Sequence, residues 1–166
     1  MPLTTTLNAS VIADQTNVLD LATGVFPVRQ FFTTTLTSGT ATGQADRIWT
    51  DTRTVTASGT DALDLAGSLV DAFGATLTFV KLKGVYVSAA AGNTNNVRIN
   101  RPASSGVPLF LAASDGIDVL PGGAFAWVAP GAGVTVTAAT GDLLNVDNSS
   151  SGTSVTYNIV LVGTSA

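Results

Sequence analysis

The sequence predicts an all-β protein, an antiparallel β-sandwich of the two-sheet jelly-roll kind with an extended N-terminal arm. Three observations predict it. Charged residues make up only 11% of the chain, against about 25% in an average soluble domain, and Thr, Ser, Gly and Ala stand where helices would carry polar helix formers. From residue 45 onward, roughly eight to ten short strand candidates follow one another with turn signals every eight to twelve residues or so. The loops between them are uneven, which favours a jelly roll and is too irregular for a solenoid or propeller. The chain has 166 residues, enough for one domain plus an arm and for a core that needs no covalent staples.

The first 26 residues are polar and Thr-rich with weak alternation, fitting a first hairpin, an arm that packs on a neighbour, or a loosely ordered terminus. Residues 26–37 (FPVRQFFTTTLT) form a strand candidate, and Pro27 places it at an edge or a strand beginning. The loop at residues 38–43 (SGTATG) divides an arm, residues 1–43, from a sandwich domain, residues 44–166. Residues 45–57 alternate, with Ile48 and Thr50 on one side and Trp49, Asp51 and Arg53 on the other. A turn at Ser58 and Gly59 leads to DALDL, a short returning strand. Residues 66–74 (AGSLVDAFG) are the best helical stretch, with Ser68 as cap and Gly74 as stop. The alternative there is an irregular loop that sends Leu69 and Phe73 into the core.

Residues 75–88 (ATLTFVKLKGVYVS) are the longest run of strand formers and hold the only two lysines. Their apolar phase is odd at Leu77 and Phe79, even at Val80 and Leu82, and odd again at Val85 and Val87. One flat strand keeps one phase, so two slips predict a strand bent by bulges, with Gly84 at one bend. In that register Lys81 and Lys83 point outward. Further on, residues 107–111 and 117–120 flank Ser114, Asp115 and Gly116, a hairpin signal. VRIN (97–100), AFAWVA (124–129), VTVTA (134–138), DLLNV (142–146) and SVTYNIVLV (154–162) complete the strand set.

Composition excludes several chemistries. Without cysteine there are no disulfides or thiolate metal sites. Without histidine the commonest general base and transition-metal ligand is missing. Every acidic residue is Asp. A net charge of −4 with scattered basic residues argues against nucleic-acid binding. No apolar stretch approaches the roughly 18–20 residues of a membrane-spanning helix, and the N-terminus lacks a secretory signal pattern, so cytoplasmic synthesis is expected.

The remaining site candidates are weak. Asp46 and Asp51 on one strand, with Asp61 and Asp64 on the next, could supply a glycosidase pair, but a solvated sheet face has the same pattern. Asp115 and Asp118, or Asp147 to Ser151, could offer oxygens to Ca²⁺, yet the spacing of a dedicated calcium loop is absent, and turn chemistry explains them better. No phosphate-binding glycine motif occurs. No catalytic, metal or cofactor residue is therefore expected, and the chain reads as a non-enzyme. Trp127 reads as core. Trp49 shares a side with Asp51 and Arg53, which suggests a half-exposed ring, either one that covers a sheet edge or one able to meet a partner or a sugar. Lys81 and Lys83 mark either an acidic partner surface or a strand protected from unwanted pairing.

QADRIWTDTRTVTASGTDALDLAGSLVDAFGATLTFVKLKGVYV, then AGNTNNVRI, LPGGAFAWVAP and TGDLLNVDNSSSGTSVTYNIVLVGTSA, resembles small virion structural proteins encoded among the head and tail genes of tailed bacteriophages, capsid decoration (cement) proteins in particular. The resemblance covers residues 44–166 and contains no catalytic motif. It implies a homotrimer on the capsid surface, assembled in the host cytoplasm. Its partner would be the major capsid protein, with no nucleic acid, membrane or cofactor, and its arm would reach neighbouring subunits. The interface residues expected are Lys81, Lys83, Phe31 and Phe32, with Trp49 as a further contact. The alternative expectation is a head-fibre or tail adhesin that recognises host glycans through Trp49 and the Asn-rich loops.

Overall fold

Twelve strands account for the regular structure in the computed structural model, which describes residues 2–166. In chain order they are β1 (Thr5–Val18), β2 (Thr23–Ser38), β3 (Gln44–Ala45), β4 (Arg47–Val55), β5 (Thr60–Asp64), β6 (Lys81–Ala89), β7 (Val97–Asn100), β8 (Gly116–Val119), β9 (Ala124–Val128), β10 (Val134–Thr135), β11 (Leu143–Asn148) and β12 (Val155–Thr164). The protein is all-β, and no helix occurs among the described residues.

From β4 onward the strands form two antiparallel sheets packed as a sandwich. The first runs β4-β12-β6, and the far edge of β6 is shared by β9 along Gly84 to Ser88 and by β10 at Lys81 and Leu82. The second runs β5-β11-β7-β8. Alternation puts Tyr157, Ile159 and Leu161 of β12, and Val85 and Val87 of β6, on the inner face of the first sheet. Leu63, Val97, Ile99, Leu144 and Val146 meet them from the second. Full burial of each such side chain stabilises the fold by about 1.5–3 kcal/mol.

The bent strand is real, but only one of its two slips is a bulge. In β6, Gly84 lies opposite Val162 and Leu82 opposite Gly163, so Lys83 is the extra residue. The β12 side is tight there, because a Cβ on Gly163 would fall 2.0 Å from the Lys81 carbonyl oxygen. The earlier slip is a strand boundary: Leu77 and Phe79 are buried from a non-strand segment that precedes β6.

Two expectations for local structure are corrected. Residues 66–74 form turns, not a helix. One Asp71 oxygen accepts from the amides of Phe73 and Ala75, an Asx arrangement that competes with helix. Leu69 is buried as the loop alternative requires, but Phe73 is exposed. The hairpin partner of β8 is β7, not residues 107–111. Pro108 has no N–H to give a ladder, and Leu109 and Phe110 pack on the core from a loop instead.

The arm is a β-ribbon. β1 and β2 pair over fourteen residues, from Thr5 opposite Leu36 to Val18 opposite Thr23, a length of about 45 Å at roughly 3.4 Å per residue. Leu19 N–H donates to Ala22 O at the tip, 2.9 Å. Pro27 sits inside β2, tolerated because the outer edge of a two-stranded ribbon needs no donor. Only the root is packed: Leu36, Ala45 and Val162 form a small second core with Leu3, Leu7 and Val160 against it. Gly84 makes room there, since a Cβ would lie 3.4 Å from both Leu7 methyls. The root thus lies on the outer face of the first sheet, and β1 is exposed from Asn8 to its end.

Candidate assembly interface

In an antiparallel ribbon, residues directly opposite share a face. One arm face therefore carries Leu7 with Thr34, Ala9 with Phe32, Val11 with Gln30, Ala13 with Val28 and Gln15 with Phe26. It holds no charged residue. The other carries Asn8 with Thr33, Ser10 with Phe31, Ile12 with Arg29 and Asp14 with Pro27. The arm's ion pair lies on this second face, where an Arg29 guanidinium N–H donates to Asp14 Oδ1 at 2.6 Å. Phe31 and Phe32, adjacent in sequence, thus look in opposite directions. Both are exposed.

The lysines do not act as a pair. Lys81 is part-exposed, and its ammonium donates to Thr135 Oγ1 at 2.8 Å. Lys83 is corrected from an outward interface residue to a buried one, 1% exposed. Its phase is outward, but the root of the arm covers that face. Nζ donates to Ala41 O at 2.7 Å and to Gln44 O at 2.8 Å. Burial, with a smaller push from the Lys81 charge, lowers the Lys83 pKa from its ordinary value. Lys83 is a latch between the body and the segment that joins it to the arm.

Trp49 is also corrected: it is 5% exposed and belongs to the main core. It does share the phase of Asp51 and Arg53, but that phase is the inner one. β4 is an edge strand, so its inward charges reach the open rim between the sheets. There Arg53 donates through Nε and Nη2 to both oxygens of Asp61 on β5, and through Nη1 to Asp51 at 3.1 Å. Its guanidinium lies 6.0 Å from the Trp49 ring centroid. The Tyr157 hydroxyl, at the end of a buried ring, donates to Asp61 Oδ2 at 2.7 Å. Hydrogen bonding to Asp61 holds the Arg53 pKa above its ordinary value against the effect of burial. Burial first, then the bond to Asp61, raises that of Tyr157. Asp51, Arg53 and Asp61 line an open depression of about 420 Å³, where the one guanidinium is already taken up by the two carboxylates.

Other carboxylates are held by local structure. Asp64 accepts from Ala66 N–H, Asp115 from Ala112 N–H, and Asp46 from the amide and hydroxyl of Ser165. Arg98 lies between Asp147 and Asp118 in the ladder, so a cation there would meet a guanidinium. Asp147 Oδ1 is buried without a partner, while the Asn148 side chain ties three loops through Thr56 O, Thr153 O and Asn95 Nδ2. No group of three His, Cys, Asp or Glu side chains suited to a metal occurs among the described residues. Beside the arm root an apolar groove of about 250 Å³ is lined by Leu7, Ile48, Tyr86, Ala126, Val128 and Val160.

The rim cluster of Arg53, Asp61 and Tyr157 escaped sequence reasoning. Its one sequence signal is opposite charge eight residues apart across the Ser58–Gly59 turn. The docking of Leu7 and Leu36 on Val162 has no local signal at all, because it joins residues more than a hundred positions apart. The arrangement offers recognition surfaces, with apolar side chains bared on an arm and an ion-paired rim on the body. No family model matches the chain, and neither curated proteins nor solved structures give a match.

Proposed function

We propose that this protein is a structural component of a bacteriophage virion that decorates the capsid and stabilises it by non-covalent binding to the major capsid protein. The observation that carries the reading is the division of the molecule. A sandwich that covers its own apolar interior is joined to a ribbon that exposes apolar side chains on both faces. Exposed apolar area of this extent marks a surface made to be covered. The strand orders β4-β12-β6-β9 and β5-β11-β7-β8, with successive strands mostly crossing between sheets, support a jelly-roll reading of the sandwich. The chain's resemblance to decoration proteins supports a homotrimer at the capsid surface. Linked copies multiply weak contacts, and such linkage raises avidity by about 10²–10⁴.

The adhesin alternative loses its platform, because the Trp49 ring that would stack on a sugar is in the core. Cryo-electron microscopy of intact particles tests the proposal. Density for this sandwich on the capsid shell, with arms between subunits, is the expected result. Density on the tail alone rejects it. For the isolated protein, light scattering should give three times the 16.7 kDa of one chain.

A further inference from the structure

The uncharged arm face is continuous with an interface the molecule already makes. At its root, Leu7 and Leu36 are packed on the body. Beyond the root the same face continues through Ala9, Val11, Ala13, Phe32 and Phe26, all exposed, with Val28 half-buried among them. Val11 is 62% exposed and Phe26 66%. A lone two-stranded ribbon is marginal in water, so a fourteen-pair ribbon of this kind calls for a covering layer.

We infer that this face is covered by the same face of the arm of a second copy of the chain. Three observations favour that occupant. The face is free of charge while the opposite one holds Asp14 and Arg29, so it meets its own copy without like-charge contact. Two-stranded ribbons twist strongly, so the apolar stripe winds along the arm. A flat surface follows such a stripe for only part of its length, whereas an identical ribbon has the same hand and pitch. Finally, the free part of the face, from Asn8 to Val18, is about 35 Å by 10 Å, and pairing it with its copy removes roughly 700 Å² of flat area, in the range of a weak, reversible interface. The inference rests on the proposal that copies of the chain associate; a pair of like faces is two-fold, so a mass of two chains would replace the homotrimer and leave the inference standing, and it is independent of the capsid.

Val11 and Ile12 make the test, being neighbours of nearly equal exposure, 62% and 61%, on opposite faces. The full chain at micromolar concentration is measured by light scattering. The expected result is an oligomer that Val11→Asp converts to a monomer and Ile12→Asp leaves intact, with body unfolding temperature unchanged in both. Since the chain has no cysteine, Val11→Cys and Ile12→Cys give an independent readout. Under mild oxidation the first should form disulfide-linked dimers and the second should not. A monomeric wild type overturns the inference, as do equal effects of the two Asp variants. An oligomer that survives Val11→Asp, with Val11→Cys unlinked, also overturns it and assigns the arm face to a different protein. Absence from the capsid with the oligomer retained removes only the virion reading.

Discussion

The arm and the body obey the same alternation and meet opposite fates. In β12, Tyr157, Ile159 and Leu161 recur every second residue and are fully buried. In β1, Leu7, Ala9, Val11 and Ala13 recur in the same way, and beyond Leu7 they are exposed. Period two decides which side chains share a face; it does not decide whether a second layer covers that face. The body supplies its own second layer by sending successive strands to opposite sheets. The arm has one layer and leaves the other to a partner.

The largest effect should come from the body's interior. Leu161 lies opposite Trp49 and Val85 in the ladder and has no exposure. Leu161→Ala removes about 2–5 kcal/mol, the usual cost of a truncated core leucine, read from the urea midpoint. A loss under about 1 kcal/mol would mean that the body's layers are as loosely covered as the arm, and the contrast would fail.

A smaller loss is expected at the rim. Asp61→Asn weakens the bonds from Arg53 and Tyr157, at about 1.5–3 kcal/mol for hydrogen bonds to a charged group, with the part-exposed Arg53 contributing toward the low end. Tyr157 adds a pH signature. Its folded pKa is raised, so above about pH 10 the unfolded chain loses the phenolic proton while the folded chain keeps it. The folded state then binds more protons, and stability falls with rising pH by up to about 1.4 kcal/mol per unit. The contribution is fully present below pH 10. In Tyr157→Phe this alkaline fall should be shallower in denaturation curves taken from pH 9 to 11 or so. An unchanged slope would place the tyrosine proton elsewhere.

Much of this was legible in the sequence, and the rest failed for two kinds of reason. The all-β class, most strands and the bend beside Gly84 follow from local alternation and turn residues. Trp49 was assigned the correct phase with Asp51 and Arg53, yet the wrong exposure. Polar neighbours usually announce a solvated face, but on edge strand β4 they cover the open rim and leave the tryptophan inside. Lys83 failed likewise, with outward phase correct and cover unforeseen. The helix at residues 66–74 lost to side-chain capture of backbone amides by Asp71. Residues 107–111 had strand composition but a proline where a ladder needs a donor. For Trp49 and Lys83 the missing information was a contact distant in sequence; for residues 66–74 and 107–111 a local feature, the Asp71 side chain or Pro108, outweighed the composition.

Lys83 sits where the two regions join, and the smallest global effect is expected there. Its ammonium makes two bonds to carbonyls that stabilise the joint, while burying the charge costs free energy that a methionine would not incur. These terms oppose each other, so Lys83→Met should change overall stability by less than about 1 kcal/mol at neutral pH. The local effect is larger, because Ala41 O and Gln44 O lose their donor and the arm's root is freed. Amide exchange at residues 41–44 should accelerate while β12 amides stay protected. The pH dependence has the opposite sign to that of Tyr157. With the folded Lys83 pKa lowered, the unfolded chain binds more protons between that value and the ordinary one of about 10.4. Stability therefore rises with pH across that window in the wild type, and the rise is missing in Lys83→Met. If exchange quickened equally in β12, Lys83 would belong to the body's core rather than to the joint, and arm and body would be one cooperative unit.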